Sequence, residues 1–354
     1  MNQRIKNCAR QLQKCNCDSL LISNPINIAY LTGFNNDGGY LLITATEELT
    51  YFTSFLYKDT AKKINDCKLV VNSLTGSLFT LIANQIKKLK LKKVGFEAKT
   101  IPFLEYRTLA ELLLKSDAEL LKTIDLVENL RMIKTKDEIS LIKKSIQVSQ
   151  KAFEYVDNIF DENMSEKDLT IEVERFLRLK GDNQLAFSTI VASGQNTVFP
   201  HHVSGNHKLN KGFFLIDLGS KYYGYCADLT RVFFDGKIPF LFKRIYDTVR
   251  KAQSESIKKI REGVTAQKID KIARTIIEKR GWGKYFGHGL GHGIGLCVHE
   301  PPLLRPNNDT VLKEGMVITI EPAVYFKDQF GVRVEDMVLV KKQGCEILSG
   351  NINR

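Results

Sequence analysis

The chain lacks several features that would each define a class of protein. No stretch of about 18 uninterrupted apolar residues occurs, which argues against a membrane-spanning helix. The N-terminal MNQRIKNCARQLQKCNCDS has no apolar core and does not read as a signal peptide. Its 7 cysteines, Cys8, Cys15, Cys17, Cys67, Cys226, Cys297 and Cys345, are odd in number and scattered. That pattern argues against a disulfide framework, and reduced thiols in a cytoplasmic protein are the simplest expectation. Cys15 and Cys17 have no second pair at zinc-site spacing. There is no low-complexity tract and no repeat in the local pattern. What is present is ordinary for a globular protein: 43% apolar and 26% charged residues. A length of 354 residues suggests two domains rather than one.

The net charge of +12 raises the question of nucleic acid or an anionic surface. The densest basic run, IKKLKLKK at Ile86–Lys93, alternates with leucines and precedes the β-like VGFEA. It reads as a solvated face, and no base-reading motif accompanies it. Neither nucleic acid nor a membrane is therefore expected as a partner.

Residues 1 to 125 alternate short apolar strands with helical periodicity. Strands are expected at Ser19–Ser23, Tyr40–Thr44, Leu49–Phe52, Lys68–Val71 and Lys93–Phe96, and helices at Ile5–Lys14 and Leu78–Leu89. This pattern predicts a mixed sheet covered by helices. A long amphipathic stretch, Ile124–Phe153, follows, so the domain boundary is placed near residue 125. Within it, Thr135 with Glu138 three residues later forms a capping-box signal. A second helix is expected after Ser165, closing at Gly181, and Ala186–Ala192 is strand-like.

The chemistry concentrates in the second part. DLGSKYYGYCADLTR, Asp217–Arg231, reads as a β-hairpin with its turn near Tyr222–Tyr223, which would set Asp217 opposite Asp228. Two opposed carboxylates repel unless a cation sits between them. FGHGLGHGIGLCVHEPP, Phe286–Pro302, holds three of the chain's 6 histidines, His288, His292 and His299, among glycines that let the backbone approach a site closely. In VITIEPAVY, strand alternation puts Thr319 and Glu321 on one face, and Pro322 suits a strand end. In GVRVEDMVL, Arg333 and Glu335 share a face. Glu321 and Glu335 are embedded in apolar runs, where an ionised carboxylate needs a partner. The pair His201-His202 follows a loop signature at Ser193–Asn196 and by itself reads as solvated loop.

Taken together, these segments resemble the pita-bread metallopeptidases, specifically the group of Xaa-Pro aminopeptidases and Xaa-Pro dipeptidases (prolidases). The resemblance spans nearly the whole chain. SNPINIAYLTGF looks like the N-terminal domain signature, and LRMIKTKDEISLIKKS like the interdomain helix. IVASGQNTVFPHH, DLGSKYYGYCADLTR, HGLGHGIGLCVHEPP, EGMVITIEPAVY and GVRVEDMVLV look like the five active-site motifs in order. The resemblance implies an α/β (α+β) fold: a creatinase-like N-terminal domain, residues 1–125, followed by a pita-bread catalytic domain, residues 126–354.

By the same resemblance, Asp217, Asp228, His292, Glu321 and Glu335 would ligate two divalent metal ions, with Asp228 and Glu335 shared between them. Four carboxylates and one imidazole suit Mn2+ first, with Co2+ or Zn2+ as alternatives. His201, His288 and His299 would act near the substrate, Glu321 would carry the proton, and Tyr225, Tyr325 and Arg333 match positions around the site. The implied activity is hydrolysis of the bond before proline in proline-containing peptides, and the implied assembly is a homodimer. The chain also departs from the pattern. His202 stands where a glycine is usual, and Leu303 stands where prolidases often carry an arginine, with Arg305 two residues further on. On Leu303 the aminopeptidase reading ranks ahead of the dipeptidase reading. The N-terminal domain argues against a methionine aminopeptidase, and retention of all five ligand positions argues against a non-catalytic binding module.

Overall fold

A computed structural model of the chain describes residues 3–35, 38–114, 116–209, 212–327 and 329–350. The chain divides into two units, Met1–Arg131 and Met132–Arg354. In the first unit, six strands, β1 (Ser19–Ile22), β2 (Gly39–Thr44), β3 (Leu49–Ser54), β4 (Cys67–Asn72), β5 (Lys93–Glu97) and β6 (Glu119–Thr123), form one mixed sheet in the order β4-β3-β2-β1-β5-β6. Six helices accompany them: α1 (Gln3–Lys14), α2 (Pro25–Thr32), α3 (Lys58–Ala61), α4 (Leu78–Lys88), α5 (Phe103–Leu113) and α6 (Leu126–Arg131). Leu21, Leu42 and Phe52 pack against Ile82, Ala83 and Ile86 of α4 and Leu109 of α5. Leu20 and Ile22, on the other face of β1, are buried too, so β1 is covered on both sides. The expected helix-covered mixed sheet is therefore observed. Asn24 caps α2 with its side chain and Pro25 opens the helix, the arrangement that suits a missing N–H.

Among its described residues the second unit has four long helices, α7 (Lys136–Ile159), α8 (Glu166–Lys180), α9 (Phe240–Ile257) and α10 (Ala266–Glu278). Its strands are β7 (Ile190–Ser193), β8 (Gly212–Leu218), β9 (Lys221–Tyr222), β10 (Tyr225–Cys226), β11 (Leu229–Asp235), β12 (Gly291–Gly293), β13 (Glu300–Leu304), β14 (Val317–Ile320), β15 (Ala323–Phe326), β16 (Phe330–Arg333), β17 (Asp336–Val340) and β18 (Cys345–Ile347). They form the sheets β11-β8-β7 and β13-β12-β14-β17-β18 and the pairs β9-β10 and β15-β16. Alternate residues of one strand feed two cores. Phe214 and Ile216 pack with residues of α7 and α8, such as Ile142, Phe153, Leu169 and Val173. Leu215 packs with Ile245, Val249, Ile269 and Ala273 of α9 and α10. The same alternation separates Val317 from Ile318. The sheets are thus sandwiched between the two helix pairs. Among the described residues, no helix is long and apolar enough to cross a membrane.

The amphipathic stretch from Ile124 holds two helices, in keeping with the helix-start signal at Thr135. It breaks after α6, where Lys134 donates its N–H to Gly315 O and Ile133 bridges Met316. Thr135 then caps α7 in a full capping box with Glu138. The expectation for the hairpin needs correction. Its two-residue turn is Tyr223-Gly224, with φ of 47° and 80°, one position later than expected. A turn with positive φ at both central residues puts glycine at the second of them. The shift makes Asp217 face Thr230. Asp228 lies two residues from Thr230, diagonal to Asp217 but on the same face. Ala186–Ala192 contributes only its end to a strand, β7, since Ala186 donates to Gly219 O and Leu185 bridges Ser220.

The first residue of α8 does more than start a helix. Ser165 caps α8 and Glu166, fully buried, turns towards the loop after β7. Its carboxylate accepts from Ser193 N at 2.7 Å, Asn196 Nδ2 at 2.9 Å and Gly205 N at 3.2 Å, and lies 2.7 Å from His202 Nε2. This side chain ties the two ends of the loop that presents His201 to each other. Glu166→Ala is expected to destabilise the chain by about 3 kcal/mol, because buried donors lose their acceptor. Denaturant unfolding checks the magnitude, and amide exchange at Ser193 and Gly205 should accelerate. Unchanged protection at both amides would contradict this role.

Candidate active site

One register runs through β14 to β17. Ile320 pairs with Asp336, and beyond the interruption Ala323 pairs with Arg333. The intervening position therefore sets Glu321 opposite Glu335, each at the break between two strands. Asp217 stands near the end of β8, Asp228 just before β11, and His292 in the middle of β12. One ligand atom from each of Asp217, Asp228 and Glu335 lies within 4.8 Å of the others, and the same holds for His292, Glu321 and Glu335, and for Asp228, His292 and His299. All five residues expected as ligands are thus brought together. Asp217, Asp228, His292 and Glu335 are buried.

The electrostatics of this cluster are unfavourable as they stand. Burial, then the neighbouring acids, pushes the carboxyls of Asp228 and Glu335 well above the usual range. Burial lifts Glu321 to about 8, with Arg333 opposing. Burial, reinforced by His299, lowers His292 to about 4, so its imidazole is neutral near pH 7. His292 Nδ1 lies 3.1 Å from Gly293 O, which makes it the protonated nitrogen. Its Nε2 lone pair then faces Asp228 Oδ2 at 3.6 Å and Glu321 Oε1 at 3.4 Å. A lone pair aimed at carboxylates, with the other ring nitrogen held by a carbonyl, is the usual posture of a metal-ligating histidine. Among the described residues, Asp217 Oδ1 and Glu335 Oε1 are buried without a hydrogen-bond partner. These orphaned acceptors and the oxygen-rich donor set fit a divalent cation.

The second oxygens of Asp217 and Glu335 are tied down. Arg333 donates to Asp217 Oδ2 at 2.6 Å, to Tyr325 Oη at 2.7 Å and to Thr230 Oγ1 at 3.1 Å. Thr230 in turn donates to Glu335 Oε2 at 2.9 Å. The fully buried Arg231 donates to the carbonyl of Glu335 and pairs with Asp336 at 2.6 Å. Thr319 Oγ1 accepts from His292 N at 3.1 Å. On α10, Arg274 pairs with Asp270 and donates to His288 O at 2.9 Å, while Asp270 accepts from Leu290 N at 3.1 Å. That pair shapes the glycine-rich segment before His292.

A cavity of about 1060 Å³ opens beside the cluster. His201, His288, His299, Tyr325, Arg333 and Arg305 line it. His201 and His299 are exposed on its wall. His288 Nε2 lies 3.3 Å from Tyr325 Oη, and burial holds its imidazole down at about 4. Phe187, Ile190, Val203, Val298 and Leu303 give the wall an apolar character. Tyr225 is placed elsewhere. It is buried, does not line the cavity, and donates its hydroxyl to Glu138 at 2.8 Å. The reason is the hairpin turn, which carries β10 onto α7. Several residues around the site escaped the sequence reading. Thr230 had a signal, since it lies two residues from Asp228 on one strand face, and Asp270 with Arg274 has helical ion-pair spacing. Glu166 and Gln253 had none.

With this geometry in hand, the chain can be compared with known proteins. Residues 140–342 match the model of metallopeptidase family M24, and residues 4–133 match the creatinase/prolidase N-terminal domain. An Xaa-Pro dipeptidase of Pyrococcus furiosus is 33% identical over 351 residues, covering 99% of this chain and 98% of the relative. The solved structure of an Xaa-Pro dipeptidase from Bacillus anthracis superposes with a TM-score of 0.94 at 34% identity, covering 99% of this chain and 98% of that one. That of an X-Pro aminopeptidase from Thermotoga maritima gives a TM-score of 0.88 at 32% identity, covering 98% and 99%. The chain belongs to metallopeptidase family M24, with a creatinase/prolidase N-terminal domain ahead of a pita-bread catalytic unit.

Proposed function

We propose that this protein is a dinuclear metal-dependent Xaa-Pro peptidase that hydrolyses the peptide bond before proline. The observation that carries the reading is the convergence of Asp217, Asp228, His292, Glu321 and Glu335 beside a partly apolar cavity. Those five residues would hold two divalent ions, Mn2+ first on the chemistry of the donors. Bound there, such ions polarise the scissile carbonyl and lower the pKa of water, the two services that peptide hydrolysis needs. Arg333 neutralises Asp217 and orients its free oxygen into the cluster. His201 and His299, on the cavity wall, donate hydrogen bonds to charge developing on the carbonyl oxygen or leaving nitrogen. Glu321, the least buried acid of the cluster, takes and returns the proton. An Xaa-Pro bond has no N–H and a fixed ring, so recognition must come from an apolar wall rather than from that hydrogen bond.

Substrate length turns on two neighbouring residues. Leu303, where prolidases often carry an arginine, favours longer peptides. Arg305 lines the cavity and is exposed, and among the described residues it makes no ion pair or hydrogen bond within the chain. It is a free cation able to receive the carboxylate of a dipeptide. Two relatives named as Xaa-Pro dipeptidases point the same way. We therefore favour dipeptides, with the aminopeptidase reading second. Product analysis should show faster cleavage of Xaa-Pro than of Xaa-Pro-Yaa, and Arg305→Ala should raise KM for the dipeptide alone by about tenfold, about the value of one charge-assisted contact. Preferential cleavage of the tripeptide, unaffected by Arg305→Ala, would restore the aminopeptidase reading.

Metal binding is expected to saturate near two Mn2+ per chain in a titration of chelator-stripped protein. His292→Ala should empty one site and remove nearly all activity, whereas His299→Ala should keep both ions and lose turnover. Saturation at one ion, or ion loss in His299→Ala alone, would contradict these roles.

The raised carboxyls also predict how the stripped protein responds to pH. Asp228, Glu335 and Glu321 bind protons more tightly folded than unfolded. Their contribution to stability is fully present below the unfolded pKa of about 4 and is lost as pH rises through the folded values. The imidazoles of His288 and His292, lowered to about 4, act the other way and add stability as pH rises towards about 6.5, so the fall emerges only above that range. The Tm of stripped protein should therefore fall between about pH 7 and about pH 8, and Mn2+ at the upper pH should restore it. A Tm that rises or stays level over that range would contradict the idea.

A further inference from the structure

We propose that Gln253, on the buried face of α9, is a positioning residue that sets the spacing of Glu321 and Glu335. The inference rests on the metal reading above and concerns the backbone beneath it. Glu321 donates its N–H to Leu290 O at 2.8 Å, and Glu335 donates its N–H to Thr230 O at 3.2 Å. Both N–H groups point outward to flanking strands, so the glutamates form the type of antiparallel pair that exchanges no hydrogen bonds. In that pattern the next pair, Pro322 with Val334, should exchange them. Proline has no N–H to give, so Val334 O loses its ladder donor.

Gln253 supplies it. Its Nε2 donates to Val334 O at 3.2 Å and to Ile320 O at 3.1 Å. These carbonyls belong to the two peptide groups that immediately precede Glu335 and Glu321. Each glutamate peptide is thus gripped twice: its N–H by a neighbouring strand, its C=O by one amide that uses both hydrogens. Gln253 is 4% exposed and lies among apolar residues of α9 such as Val249 and Ala252. A buried glutamine amide on a mainly apolar helix face needs acceptors for both hydrogens, and the strand break provides two. The backbone on either side of the two carboxylates is therefore referred to one atom.

The test titrates chelator-stripped protein with MnCl2 by calorimetry, alongside thermal melts. Gln253→Met keeps the volume and removes both donors. It should weaken Mn2+ binding by about tenfold or more, as loss of a group that orients a ligand typically does. Val249→Ala, a cavity in the same helix face with no donor lost, should lower Tm while keeping the wild-type affinity. Gln253→Glu, which can donate at most one hydrogen bond, should fall between. If Gln253→Met does not fold, Gln253→Glu decides: weakened binding supports the assignment and wild-type affinity overturns it. Wild-type affinity in Gln253→Met, or an equal loss in Val249→Ala, also overturns it. Wild-type protein that binds no Mn2+ overturns the metal reading itself, an outcome distinct from the failure of Gln253.

Discussion

Negative charge gathered where water is scarce is the constraint around which the catalytic unit is built. Asp217, Asp228, Glu321 and Glu335 come from four different strand ends and meet beside a neutral imidazole. Left alone, such a cluster resists ionisation, and the raised carboxyls express that resistance. Arg333 bonds a ligand carboxylate directly, and it is spent on Asp217, Tyr325 and Thr230. What remains includes two buried oxygens, Asp217 Oδ1 and Glu335 Oε1, with no hydrogen-bond partner among the described residues, and an imidazole lone pair that points at the acids. A protein keeps such an arrangement only if something positive completes it, and a rigid scaffold is needed to hold it until then.

That scaffold works through helices that reach into strand breaks. Strands alone cannot place these acids, because a ligand must sit where the ladder is interrupted and its backbone groups are free. Each interruption exposes N–H and C=O groups that have to be satisfied in a buried setting. The helices supply the partners. Asp270 and Arg274 of α10 hold the chain around His288 and Leu290. Gln253 of α9 holds the carbonyls before the two glutamates. Glu166 of α8 holds the loop carrying His201. The apolar faces of the same helices fill the two cores, so core packing and site geometry are coupled through the same elements.

The cavity follows a different logic. Its floor is the charged cluster, and its wall mixes apolar side chains with exposed histidines and Arg305. On the proposed function, the buried acids face the chemistry and the exposed wall faces the variable portion of a substrate, so that selectivity for length would rest on positions such as Leu303 and Arg305.

Much of this was legible in the chain itself. Features with a local signal announced themselves: the capping box at Thr135, the cap at Ser165 and the mixed sheet of the first unit, while the four acids and one histidine expected as ligands came from the resemblance of whole motifs and are brought together by the fold. The signals of the first kind are local, and a strand or cap is specified largely by its own neighbours. The hairpin register was missed by one position, because a turn with positive φ at Tyr223 and Gly224 is set by the twist of the flanking strands. Tyr225, expected around the site by resemblance, sends its hydroxyl to Glu138 because β10 packs on α7. Glu166 and Gln253 carried no signal at all. A glutamate at a helix start and a glutamine on a helix face are commonplace in sequence. Only the tertiary structure, by burying them against backbone groups distant in the chain, decided what they hold.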